Sequence, residues 1–173
     1  MIIKPKEGDY APYYAPYIAL VPETDNILGE LLKQHMETIE LLTSLDDNTL
    51  QSSYASGKWT IMEIVCHLID CERIFCYRAL RFARKDLTPL IGFDHDYFVK
   101  NSKSNTKKIL NVVKEFSLLR ASTIELFGSF DEEMLSQIGS ANNNIVRVGA
   151  LPYIICGHEI HHRNIIEEKY IGK

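Results

Sequence analysis

Along most of the chain, apolar residues recur at intervals of three and four, the period of one helix face turned toward a core. Ile27, Leu28, Leu31, Leu32, Met36, Ile39 and Leu42 predict a first helix over about Asp25 to Leu45. Asp46-Asp47-Asn48 ends it with turn chemistry, and a short helical turn near Leu50 follows. Thr60-Ile61-Met62-Glu63 has the form of a capping box, in which the Thr60 hydroxyl accepts from the Glu63 N–H and the Glu63 carboxylate returns the bond. From there Ile61, Ile64, Val65, Leu68, Ile69 and Ile74 carry a second helix to about Lys85, and the stretch from Asp86 to Phe93, with Pro89 and Gly92, breaks it. Ile109, Val112, Val113, Phe116, Leu119, Thr123, Ile124 and Phe127 form the inner stripe of a third helix, from near Asn105 to about Phe127, with Gly128 as its stop. Ser129-Phe130-Asp131-Glu132 can cap a short extra turn. Asn142-Asn143-Asn144 reads as a loop. A last helix spans about Val148 to Tyr170, with Pro152 tolerated in its first turn.

Four long helices result, and no convincing strand; Val146-Arg147-Val148 is the one strand-like fragment. Helices of ~20–25 residues are ~30–37 Å long, the dimension of a four-helix bundle. The expected fold is therefore all-α, one domain over residues 1–173. Residues 1–24 are different material. Pro5, Pro12, Pro16 and Pro22 fall among Tyr10, Tyr13, Tyr14 and Tyr17, so an extended arm that lays its tyrosine rings on the domain is expected there, not a regular helix.

Composition narrows the class. Of the 173 residues, 46% are hydrophobic and 24% charged, enough apolar material for a single core. The net charge of −4 argues against nucleic acid as a partner. No apolar run approaches the ~18 residues of a membrane span, and the first residues lack the apolar stretch of a signal peptide, so a cytoplasmic protein without membrane attachment is expected. Cys66, Cys71, Cys76 and Cys156 form no C-x-x-C pair and read as free thiols.

The chemistry lies in the histidines. His158 and His162, four apart on the last helix, project side by side, and two imidazoles so placed reach one ion. His161 offers a rival pair with His158 at three apart. His67 sits between Val65 and Leu68 on a helix of the same bundle, and bundle cores are where facing helices build metal sites. Neutral imidazoles are costly to bury without partners, and one cation supplies a partner to all three. His35 and His95 read as ordinary surface or rim residues. His158-Glu159-Ile160-His161-His162 also matches the zincin pattern H-E-x-x-H. The pattern is discounted here. Glu159 points ~100° away from His158 around the helix, and the eleven residues after His162 leave no room for the usual third ligand. Glu159 is thus expected to be exposed or in a partner interface, or, like Asp70 and Arg120, to stand behind a ligand or meet an anion.

The chain resembles the DinB-like superfamily, and within it the YfiT-like branch of metal-dependent proteins. The resemblance rests on the arm YAPYYAPYIALVPE, the segment KWTIMEIVCHLIDCERIF around His67, the linker GFDHDYFV and the ending YIICGHEIHHRNIIEEKY. It implies that His67, His158 and His162, with His162 taken over His161, hold one divalent metal. It also implies a four-helix bundle with a non-sequential arrangement, and a homodimer.

Three neutral histidines leave a divalent ion at least one open position, the ligand count of a catalytic site. Zinc or nickel is expected first, with iron or manganese as alternatives. A water or a thiol in the open position would lose its proton more easily. The resemblance includes thiol S-transferases that use low-molecular-weight thiols, and hydrolases. The resemblance, together with the lack of a buried carboxylate placed as a general base, implies the transferase first: Glu63 is used by the capping box. The partners would then be a small-molecule thiol and an electrophile. Asp70, three residues after His67, is expected to orient a ligand, and Arg120, on the apolar stripe of the third helix, to meet an anion or to snorkel. A metal module without catalysis is the remaining alternative.

Overall fold

The computed structural model describes residues 1–86 and 88–172. Four long helices make the bundle: α2 (Ile27–Ser44), α4 (Ile61–Ala83), α6 (Ile109–Gly128) and α8 (Leu151–Ile165). Shorter ones, α1 (Ala15–Leu20), α3 (Asp47–Leu50), α5 (His95–Asn101) and α7 (Glu132–Ser136), lie at its ends and flanks. Helix α2 packs against α6 and α8, and α4 packs against the same two. The consecutive long helices α2 and α4 therefore face each other across the diagonal, the non-sequential arrangement the resemblance implied.

Local chemistry explains the helix starts. The Thr60 capping box forms with both bonds in place, at 3.1 Å and 2.8 Å. Asn26 caps α2 through Gly29 N–H, and Asp94 caps α5 through Tyr97 N–H. Pro152 sits in the first turn of α8, where no backbone donor is needed. Helix α8 then widens into a π-helical turn over Ile166–Ile171.

Three expectations need correction. The N-terminal segment is not extended throughout: Pro12 opens a 3-10 turn over Pro12–Tyr14, and Pro16 lies in the first turn of α1. Both prolines stand where a missing N–H costs nothing, so a proline-rich stretch folds as two short helical pieces. The linker after residue 94 holds α5, and α6 begins at Ile109, later than near Asn105. A two-stranded antiparallel hairpin is present, β1 (Ile138–Ala141) and β2 (Asn144–Arg147), in the register Ala141 to Asn144. Its turn residues Asn142 and Asn143 both have positive φ, which a two-residue hairpin turn requires and asparagine tolerates. Four-residue strands are too short for alternation to show in the sequence.

The arm is tied down at several points. Asp9 accepts from Arg147 Nε at 2.7 Å, and Tyr153 Oη donates to the Ile2 carbonyl at 3.2 Å. Where α1 crosses α8, a side chain at Gly157 would place its Cβ 1.9 Å from the Tyr17 carbonyl oxygen. Only glycine permits that approach, and it comes one residue before His158.

The apolar interior falls into two clusters. Along α2 the change between them comes between Leu31 and Leu41, along α4 between Ile69 and Cys71, along α6 between Phe116 and Phe127, and along α8 between Ile160 and Ile166. A polar layer crosses the bundle at that level, and Arg120 lies at its middle. Its guanidinium donates to both Glu72 oxygens at 3.0 and 2.8 Å, to Glu159 Oε2 at 2.8 Å and to the Leu31 carbonyl at 2.7 Å. One side chain on α6 thus bonds to α2, α4 and α8. Arg120, Glu72 and Glu159 are each at most 2% exposed. Arg120 is neither a snorkelling residue nor free to meet an outside anion, because both forks of its guanidinium are filled. Glu159 is deep in the core, not exposed or at an interface.

Removing one partner of such a cluster strands a buried charge. Arg120→Met is expected to cost about 3–5 kcal/mol of unfolding free energy. Chemical denaturation checks it; a loss under 1 kcal/mol would contradict this role for Arg120.

Candidate metal centre

His67 comes from the middle of α4, and His158 and His162 from successive turns of α8. The capping box sets the start of α4, and the Gly157 crossing sets how closely the arm covers α8. His67 Nε2 lies 3.2 Å from His158 Nε2, which lies 3.1 Å from His162 Nε2. All three residues are at least nine-tenths buried. His161 turns the other way and stacks edge-on against Tyr17. The structure therefore gathers His67, His158 and His162, and leaves His161 outside the cluster.

The donor set fits a cation on its own terms. The Nε2 of a neutral imidazole either donates or accepts one hydrogen bond. His158 Nε2 faces two other Nε2 atoms, so it can share a proton with one of them and leaves the other unmatched. A divalent ion accepts all three lone pairs. Four-coordinate zinc with Zn–N of ~2.0–2.1 Å puts its ligand atoms roughly 3.3 Å apart, close to the two separations found. Burial holds the His158 and His162 pKa values well below the ordinary histidine value and lowers that of His67 to about 4, with the neighbouring histidines adding to the depression in each case. The rings are thus neutral at pH 7, the form that binds metal.

The surroundings differ from expectation at several residues. Asp70 is not behind a histidine; its nearest charged partner is Arg73 at 3.7 Å. Glu159 turns to Arg120, about a quarter-turn from the site. His35 is not a surface residue: it is 5% exposed, bonded through Nε2 to Ser117 Oγ at 3.0 Å, with Nδ1 4.0 Å from Glu159 Oε1. His95 is at the rim as read, and it brings a second grouping into view, His67, Cys71 and His95, with Cys71 Sγ 3.5 Å from His67 Nε2 and 3.9 Å from His95 Nδ1. All four cysteines are free, and burial pushes the Cys71 thiol up to about 12.

Two cavities flank the histidines. One, of about 150 Å³, is lined by Tyr14, Tyr17, Cys71, Arg78, His95 and His158 among others. The other, of about 330 Å³, opens past Trp59, Asp96 and Tyr170 to His162. Trp59 packs its ring 4.8 Å from that of His67, donates Nε1–H to Asp96 at 3.2 Å, and accepts at its carbonyl from the Tyr170 hydroxyl at 2.5 Å. Sequence reasoning missed Trp59, Cys71 and Arg78 as site residues. The signal was available for two of them, since Cys71, Phe75 and Arg78 follow His67 at helical spacing on one face of α4.

The chain belongs to the DinB superfamily, whose model matches residues 30–166. A protein of Oceanobacillus iheyensis named "Putative metal-dependent hydrolase" is 28% identical over 151 residues, covering 82% of this chain and 86% of its own. The structure is similar to that of YfiT from Bacillus subtilis, described as "a probable metal-dependent hydrolase with an unusual four-helix bundle topology". The TM-score is 0.69 and the identity 18%, over 96% of this chain and 89% of that one. Among the described residues no helix is long and apolar enough to cross a membrane.

Two outcomes are expected in solution. His162→Ala should weaken zinc binding by orders of magnitude, whereas His161→Ala should not; competition with a chromogenic chelator measures both, and the reverse order would refute the ligand set. The metal-free protein should lose stability as pH falls from about 6.5 toward 4. The folded-state histidine pKa values are depressed, so the unfolded chain binds more protons in that window. The loss approaches about 1.4 kcal/mol per pH unit for each imidazole. Denaturation of chelator-treated protein at several pH values checks this, and a flat profile would contradict it.

Proposed function

We propose that this protein is a divalent-metal-dependent enzyme, with the ion held by His67, His158 and His162, and that it joins a low-molecular-weight thiol, through its sulfur, to a small electrophile. The observation that carries this reading is the donor set: three neutral imidazoles with converging nitrogens, no carboxylate among them, and cavities on two sides. The relatives named for metal dependence add support. A divalent ion bound there keeps its full charge and supplies a Lewis acid that makes a thiol or a water more acidic.

The chain's own residues fit the thiol reading. The buried carboxylates nearest the histidines, Glu72 and Glu159, are both committed to Arg120, so neither serves as a general base toward water. A thiol needs less help, since its ordinary pKa lies near 8.5. In the reaction the thiol proton leaves, a carbon–sulfur bond forms, and the leaving group departs with its bonding pair. His95, exposed at the cavity mouth, is placed to pass that proton to solvent. Trp59, Phe75 and the tyrosine rings of the arm give the apolar walls that limit water around the reacting atoms.

Hydrolysis by an activated water is the second reading, favoured by what the relatives are called. One assay separates the two. Zinc- or nickel-loaded protein is incubated with chlorodinitrobenzene and, in turn, cysteine, glutathione and coenzyme A, and in parallel with activated esters and amides without thiol. Thiol-dependent arylation that disappears on chelation and in His67→Ala is expected. Metal-dependent ester or amide cleavage alone would replace the transferase with the hydrolase, and no metal-dependent turnover of either kind would reject both.

A further inference from the structure

Arg78 stands out once Arg120 has been accounted for. It is on α4, eleven residues and about three helical turns beyond His67, on the same face. It is 5% exposed. A buried arginine is ordinarily matched by carboxylates, as Arg120 is by Glu72 and Glu159. Among the described residues no carboxylate lies within ion-pair distance of the Arg78 guanidinium. Its Cζ stands 5.9 Å from the centroid of the Phe75 ring, and the Tyr14 hydroxyl is a neighbouring hydrogen-bond partner. Its side chain lines the 150 Å³ cavity that also reaches His158.

The rest of that cavity has the same bias. None of its lining residues is acidic. The carboxylates nearby are turned to other uses: Asp94 caps α5, Asp96 accepts from Trp59, and Asp70 pairs with Arg73. The lining does supply neutral hydrogen-bonding groups, Tyr13, Tyr14, Tyr17, His95 and Asn142. Asn142 is fixed there by the hairpin turn and packs over Gly92, where a Cβ would lie 2.5 Å from its Oδ1. A permanent cation sits in a half-enclosed space beside the histidines, in a protein whose net charge is −4.

We propose that Arg78 anchors an oxyanion, a carboxylate or a phosphate, carried by the small molecule that reacts at the three histidines. The proposal rests on the metal-centre reading for the position of the reacting end, but the anion contact itself needs no metal. Planar guanidinium donors match a carboxylate or phosphate bidentately, and a buried site built for such a group rejects a neutral analogue of the same shape. The spacing sets the substrate's form. Eleven helical residues separate the two Cα atoms by roughly 16 Å, and the arginine side chain leans back toward the N-terminus of α4, which shortens the gap. The anion therefore sits several bonds from the reacting atom. The cavity volume is that of about five water molecules, room for an anionic head and the start of a chain, not for a bulky ring system.

The test uses a thiol and its neutral counterpart of equal length, 6-mercaptohexanoate and 6-mercaptohexanol. Cobalt(II)-loaded protein is titrated with each while the thiolate-to-cobalt charge-transfer band is followed. The acid should bind at least about tenfold tighter than the alcohol to the wild type. Arg78→Gln should bring the two affinities together, and Arg78→Lys should keep part of the difference. Calorimetry on metal-free protein with hexanoate and with inorganic phosphate reads the anion contact alone and tells which oxyanion is preferred. Arg78-dependent anion binding without a cobalt band for either thiol would uphold this proposal and count against the metal-centre reading. Equal affinities for acid and alcohol in the wild type, or an acid preference that survives Arg78→Gln, would overturn it. The wild-type pair and Arg78→Lys keep the comparison decisive if Arg78→Gln fails to fold.

Discussion

The bundle depends on the bonds of one arginine. Arg120 enters the polar layer from α6 and bonds to the three other long helices, through two carboxylates and one carbonyl. Burial alone would depress its pKa, but Glu159 and Glu72 outweigh that and hold the guanidinium charged. Neither apolar cluster can slide past the other without opening these bonds. Because Glu159 is next to His158 and Glu72 lies five residues past His67, the same network sets the rotation and height of both histidine-bearing helices. The histidines converge where α4 and α8 are both bonded to one guanidinium.

The charge balance of that layer bears on the site. Two carboxylates share one cation, and His35 is held neutral by burial, its pKa lowered to about 4. Two carboxylates thus face a single guanidinium beside His158, across a small gap lined by Glu72, Arg120, His158 and Glu159. In a low-dielectric interior carboxylate charge there favours a cation at the neighbouring histidines. Burial pushes the Glu159 carboxyl upward against the pull of Arg120, and the charge of Glu72 adds to the rise. The electrostatics and the geometry of the three imidazoles thus point the same way.

How much of this was legible beforehand follows from periodicity. The four long helices could be read because each carries an apolar stripe over many turns, and the Thr60 box marked its start to the residue. The pair at His158 and His162 was legible for the same reason, as helical spacing is rigid. Spacing left His161 and His162 equivalent, because residues three and four apart both share a face; the rotation of α8 in the bundle separates them. What failed depended on tertiary contacts. Arg120 and Glu159 look like surface residues in a sequence, since charge is rarely buried, and only their mutual pairing permits burial. The hairpin was hidden by strands of four residues, and α1 by prolines that happen to occupy first-turn positions.

The zincin-like run His158-Glu159-Ile160-His161-His162 shows why a motif needs its context. A helix that presents residues four apart to an ion turns the residue after the first ligand by about 100°. In this bundle that direction leads inward to Arg120, and the glutamate becomes part of the scaffold. The opposite side of α8 is no more open, since Gly157 lets the Tyr17 backbone pass directly over it and the Tyr17 ring stacks on both His158 and His161. Two cavities flank the histidines, one walled by the arm's tyrosines and Arg78, the other by Trp59 and Tyr170. The N-terminal segment is therefore part of the site's construction. It closes one side of the histidine cluster and supplies the tyrosine wall beside the Arg78 guanidinium, and so helps to form the cavity that joins Arg78 to His158.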